Sequence, residues 1–145
     1  MEKLEFAITI NAPRAKVWST MLADATYREW TSAFHAGSFY EGSWEQGSEI
    51  RFLIPEGDGM IARIAENRRH EFISIEHLGS IANGVADTES DAAKAIAGAR
   101  ENYTFTEAGG ATTVTVNMDT TSEFTAIFAE MWPRALAKLK EVCER

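Results

Sequence analysis

Residues Leu4-Glu5-Phe6-Ala7-Ile8-Thr9-Ile10-Asn11-Ala12-Pro13 set the frame of this chain. Leu4, Phe6, Ile8 and Ile10 alternate with Glu5, Ala7 and Thr9, a period of two that reads as a strand with one buried face. Pro13 suits the first position of a helix, where its missing N–H is no loss. That helix is predicted to run to about Leu22, with Val17, Trp18 and Met21 on its apolar side. Asp24 is a good N-cap for a second short helix through Trp30, so the two helices form a V-shaped connection. At the far end Phe124, Phe128, Met131, Ala135, Leu139 and Val142 recur at steps of three and four, one apolar stripe on a long helix from Ser122 to Glu144. Pro133 removes the hydrogen bond to the carbonyl of Ala129 and is expected to kink that helix.

The middle of the chain is strand-like. Ser38–Trp44, Glu49–Ile54, Met60–Glu66, His70–Gly79, Arg100–Thr106 and Thr113–Asp119 are predicted strands, and Pro55–Gly59 is a loop. The last two strands flank Ala108-Gly109-Gly110 as a hairpin. In it Glu101, Tyr103 and Phe105 share one face, and Val114, Val116 and Met118 share a face of the partner strand. Ile81–Ala97 holds Asp87, Glu89 and Asp91 and then an alanine-rich piece; it reads as a long loop with a turn or two of helix, and could be a lid or a plain connection. A curved sheet wrapped against one long terminal helix tends to leave a cavity between them.

The chain has 145 residues, the length of one domain, here taken as 1–145. With 45% hydrophobic and 25% charged residues it has the composition of a folded protein. A net charge of −8 argues against nucleic acid and anionic membrane surfaces, both of which need clustered Lys and Arg. Cys143 is alone, so no internal disulfide forms, and it has no neighbouring base in sequence to activate it. The start lacks the basic and apolar blocks of a signal peptide, and no apolar run reaches the ~18 residues of a membrane span. A cytoplasmic protein without membrane insertion is expected.

Several stretches, taken in order, resemble the SRPBCC or START-like superfamily, in the branch of the activator of heat-shock-protein-90 ATPase homologue. They are Ile10-Asn11-Ala12-Pro13 with Val17-Trp18, then Trp30, Gly47 and Ile50-Arg51-Phe52. Ile73-Ser74-Ile75-Glu76-His77, Glu101-Asn102-Tyr103-Thr104-Phe105 and Trp132-Pro133-Arg134-Ala135-Leu136 with Leu139-Lys140 complete the set. The resemblance implies an α+β helix-grip fold: a roughly seven-stranded antiparallel sheet around a long C-terminal helix, with two short helices after the first strand. It also implies a deep apolar cavity. It is weak on function, because this superfamily hosts carriers, receptors, cyclases and oxygenase subunits alike.

Within that frame Trp30, Phe34, Phe39, Phe52, Met60, Ile75, Tyr103, Phe105, Phe128, Met131 and Trp132 are candidates to line a cavity of roughly 300–1,000 Å³, or simply to fill the core. If Ile73 and Ile75 face inward, so does His77, and Glu101 goes in with Tyr103. A His and a Glu among apolar groups could orient a ligand or act as acid and base, burial tending to raise a carboxyl pKa. They could also form a structural pair, with Glu101 bonding His77 or Arg51. A one-residue slip would instead bring Glu76 inside.

Gly57-Asp58-Gly59-Met60-Ile61-Ala62 fits a dinucleotide fingerprint in letters, but a strand follows where a helix is needed. His35, His70 and His77 lack metal-ligand spacing, so no metal is expected, nor any other cofactor. The leading expectation is a binder of a small hydrophobic molecule such as a lipid, polyketide or other aromatic metabolite. The alternatives are a cyclase- or hydrolase-type enzyme using Glu101 or His77, and a cochaperone-like module contacting a chaperone. Oligomeric state is not legible.

Overall fold

The computed structural model describes residues Met1–Arg145. The opening alternation forms strand β1 (Glu2–Ile10), followed by helices α1 (Arg14–Leu22) and α2 (Asp24–Trp30) and a short 3-10 turn, Thr31–Ala33. Strands β2 (Phe39–Gly42), β3 (Glu49–Leu53), β4 (Gly59–Arg68) and β5 (Phe72–Ala82) come next. The segment read as a long loop contains a three-residue strand, β6 (Val85–Asp87), and a short helix, α3 (Asp91–Ile96). Strands β7 (Arg100–Ala108) and β8 (Ala111–Thr120) and helix α4 (Ser122–Cys143) complete the chain.

The strands form one eight-stranded antiparallel sheet ordered β1-β8-β7-β5-β4-β3-β2, with β6 paired to the end of β5. β1 and β2, linked through α1 and α2, are the two edges of that path. The extra strand over the expected seven is β6. Its three residues carry little propensity of their own and form a strand because Ser80–Ala82 offer them a ladder. Gly109 and Gly110, both at positive φ, make the tight turn from β7 to β8, a conformation two-residue hairpins demand.

Period-two alternation sends Ile8 and Ile10 of β1, Val114 and Val116 of β8, Tyr103 and Phe105 of β7, Ile73 and Ile75 of β5, Ile64 of β4 and Ile50 of β3 to one face. α4, about 33 Å long at 1.5 Å per residue, buries Trp132, Ala135, Leu136, Leu139, Val142 and Cys143. This is the helix-grip arrangement.

Two local expectations need correction. The helix α2 begins at Asp24 itself after Ala23, so Asp24 is not its cap; its carboxylate accepts from Arg28 Nε and Nη2 at 3.1 and 3.3 Å and sits where a helix favours negative charge. Pro13 is the extended N-cap of α1 and not its first helical residue, which is Arg14. Pro133 lies inside α4, which runs from Ser122 to Cys143.

Candidate functional site

The carbonyls at the C-terminal end of a helix have no partner within it. At the end of α1 three aromatic side chains supply one: Trp30 Nε1 donates to Met21 O at 3.0 Å, and Tyr40 Oη and Trp44 Nε1 donate to Leu22 O at 2.7 and 3.1 Å. The first bond fixes Trp30, which walls the space between α2, the sheet and α4, while Tyr40 and Trp44 stand behind that wall against Tyr27. Tyr27 packs edge-on against Tyr40 at 4.9 Å between ring centres, and Phe34 against Trp132 at 4.9 Å. Trp132 also meets Trp30 and Tyr103, each at 6.0 Å.

Inside this frame lies an open chamber of about 240 Å³. Trp30, Phe34, Phe52, Phe128, Met131 and Trp132 form its apolar wall, and Tyr27, His77, Glu101 and Tyr103 bring polar atoms to it. A second chamber, of about 270 Å³, lies beside the first; Ser80, Ile96, Met118, Thr120 and Phe124 are among its lining residues. Met60, His77, Glu101 and Phe128 line both, and so form the waist between them. Together the chambers reach the size range of ordinary small-molecule sites.

The waist depends on the phase of β5. Ile75 stands opposite Glu101, and His77 opposite Ala62. Leu78 is then skipped in a bulge, so that Ser80 stands opposite Met60. The extra residue keeps both His77 and Ser80 on the cavity side. Glu76 lies on the other face, bound to Arg63 Nη2 at 2.6 Å, and that bond holds its carboxyl below the usual range.

His77 Nε2 is 3.2 Å from Glu101 Oε1, and Tyr103 Oη donates to Glu101 Oε2. His77 Nδ1 is buried without a partner. One assignment of hydrogens leaves no donor of these three side chains stranded: Nε2–H donates to Oε1, the phenol donates to Oε2, and Nδ1 carries no proton. Glu101 is then a carboxylate accepting two bonds from neutral donors. Burial and the charge of Glu101 raise the Tyr103 phenol well above its ordinary pKa. The same two causes raise Tyr27, whose hydroxyl makes no hydrogen bond with the protein. Both stay protonated at neutral pH.

Of the residues singled out from sequence, Trp30, Phe34, Phe52, Met60, His77, Glu101, Tyr103, Phe128, Met131 and Trp132 converge on the first chamber. Three do not line it. Phe105 lies deeper along β7, against Trp18 at 5.1 Å. Ile75 is sealed in the core. Phe39 lies under the guanidinium of Arg28, 5.2 Å from its ring centre. Tyr27 went unnoticed, although its place three residues before Trp30 on one helix was a usable signal. The second chamber also went unseen, since Ile96 and Ala99 belong to or follow a segment read as loop.

No group of three or more His, Cys, Asp or Glu side chains converges to hold a metal ion. No helix is long and apolar enough to cross a membrane.

The family model described as Activator of Hsp90 ATPase homolog 1-like protein matches residues 11–144. No curated protein matches the sequence. Among solved structures, the Aha1 dimer from Colwellia psychrerythraea is similar with a TM-score of 0.76 and 18% identity, over 99% of this chain and 97% of that one. DynU16, described as a putative protein in the dynemicin biosynthetic locus, is similar with a TM-score of 0.69 and 13% identity, over 97% of this chain and 46% of that one. CalU16 from Micromonospora echinospora gives 0.67 and 16%, over 97% and 73%. At these identities the likeness is one of fold.

Proposed function

The chain belongs to the Activator of Hsp90 ATPase homolog 1-like family, and from that premise we propose that it binds a small hydrophobic molecule in the two chambers between its sheet and α4. The fold is commonly a scaffold for ligands, but one observation carries the reading for this chain. Large aromatic side chains that could have closed the space instead hold one another back around it. An interior of ordinary density has no room of this size. Trp30, Phe52, Phe128 and Met131 give apolar contact, and the waist gives orientation. A lipid, a polyketide or another aromatic metabolite fits this description.

Phe128 tests the proposal because it borders both chambers and is only half-buried. Phe128→Asp should remove binding of apolar probes, followed by quenching of Trp30 and Trp132, while the protein remains folded by circular dichroism. Unchanged probe binding by a folded variant would place the ligand elsewhere.

A second reading, acid–base chemistry on a bound ligand, draws on the chain His77–Glu101–Tyr103. It requires that His77 or Glu101 titrate away from ordinary values. NMR titration of both side chains checks this, and ordinary behaviour in both would remove the reading.

A further inference from the structure

The interior holds one charge without a counter-charge. Glu101 lines both chambers, and its side chain is 17% exposed. Its only ion-pair candidate within 4.0 Å is His77. An imidazolium there would bury Nδ1–H with no acceptor, an expensive arrangement. The imidazole therefore donates as a neutral group and supplies no counter-charge to the carboxylate. No Lys or Arg lines either chamber, and the Met1 ammonium at the second chamber acts on Asp119. The other acidic group at the second chamber, Asp119, is already matched: Lys3 Nζ lies at 2.7 Å and the Arg100 N–H donates at 2.9 Å.

Around the unmatched carboxylate stand rings. Trp30, Phe52, Phe128, Trp132 and Tyr103 share its chamber, and Tyr27 adds a hydroxyl that the protein leaves free. Aromatic faces attract cations, most strongly where water is excluded. A buried carboxylate without a cation is unfavourable until one arrives. The two features favour the same guest. Apolar space on both sides of the waist then asks for an apolar group on each side of the charge.

Building on the cavity reading above, we propose that the ligand is a hydrophobic amine: a molecule with one protonated nitrogen at the waist, beside Glu101, and an aromatic or aliphatic group in each chamber. A neutral lipid or polyketide would leave the Glu101 charge with no partner but its two neutral hydrogen-bond donors, and an acidic ligand would be repelled.

The test uses two probes of one shape, dibenzylamine, protonated at neutral pH, and dibenzyl ether, which carries no charge. Each is titrated into the full-length protein and followed by tryptophan fluorescence and calorimetry. The amine should bind about tenfold more tightly than the ether. Glu101→Gln, which keeps the shape and removes the charge, should bring the ratio of the two affinities close to one. Should that variant misfold, the ratio in the native protein still decides. Equal affinities, or preference for the ether, would overturn the amine assignment and leave the cavity reading standing. Binding of neither probe would overturn both.

Discussion

The two halves of α4 share one helix and one apolar stripe, yet they face different interiors. Over the C-terminal half, Ala135, Leu136, Leu139 and Cys143 close directly onto the core that Val17, Trp18 and Met21 of α1 join from the side. Lys140 Nζ donates to Thr9 O at 3.1 Å and Asn11 N–H to Glu144 Oε2 at 2.8 Å, pinning this end to β1 and the turn after it. Over the N-terminal half the helix spans space. Phe128 and Met131 are half-buried, and Phe124 and Ile127 are 39% and 45% exposed. The difference shows where the cavity comes from. It does not arise from small side chains, because the open half carries the larger ones. It arises because α1 fills one end of the groove, while at the other end Trp30 of α2, Tyr40 of β2 and Trp44 are held back by the last α1 carbonyls.

Truncation breaks the comparison most directly. Leu139 is fully buried at the closed end, so Leu139→Ala should lower the unfolding free energy by about 2–5 kcal/mol. Met131→Ala at the open end should lower it by less than about 1 kcal/mol, because its side chain already borders empty space. Urea denaturation measures both. Equal losses would mean that the open half is as well packed as the closed one.

Alkali separates the halves by chemistry. Tyr27 and Tyr103 stand at the open end with raised phenol pKa values, in each case chiefly through burial. Above the unfolded tyrosine value of about 10, the unfolded chain releases protons that the folded one retains. The stability that depends on these groups is therefore complete below about pH 10 and falls above it, by up to about 1.4 kcal/mol per pH unit for each tyrosine. The closed end has Cys143 instead, its thiol also pushed up by burial, so its contribution begins to fade above about pH 8.5. Tyr27→Phe should flatten the stability–pH profile above about 10, and Cys143→Ser should flatten it from about 8.5 upward. A Tyr27→Phe profile identical to the native one would show that this phenol ionises freely in the fold.

The same contrast explains what the sequence could reveal. Alternation tells which face of a strand a side chain takes, and this was legible: Glu101, Tyr103 and Phe105 all point inward, as do Ile73, Ile75 and His77. Alternation does not tell depth along the strand. Glu101 and His77 reach the chambers, while Phe105, four residues beyond Glu101, and Ile75, two before His77, lie in closed core on the same face. Depth depends on which helix lies above, a tertiary fact. The bulge at Leu78 and the strand β6 escaped for a related reason: both exist because a neighbouring strand offers hydrogen bonds, not because local residues ask for them. The start of α1 was legible within a residue from Pro13 and the apolar spacing after it, and that of α2 from Asp24, because such signals act within a few residues.

The smallest expected effect lies at the rim of the second chamber. Burial alone would raise the Asp119 carboxyl, but the bonds from Lys3 and the Arg100 N–H outweigh it and hold it below its usual range. A lowered pKa in the folded state stabilises the fold above the unfolded value of about 3.9, and that contribution is lost as pH falls through it. Lys3→Ala should therefore move the acid-unfolding midpoint slightly upward. At neutral pH it should remove less than about 0.5 kcal/mol, because the Lys3 side chain is 84% exposed and its charge is screened. Glu144 is the counterpart at the closed end, held low by Lys140 and by the Asn11 N–H. Lys140→Ala gives up more than an ion pair there, since Lys140 also donates to the Thr9 carbonyl of β1. Its effect should persist at high salt, whereas that of Lys3→Ala should fade. If salt erased both effects equally, the closed end would be held by surface charge alone, and the helix would be no more firmly seated there than over the chambers.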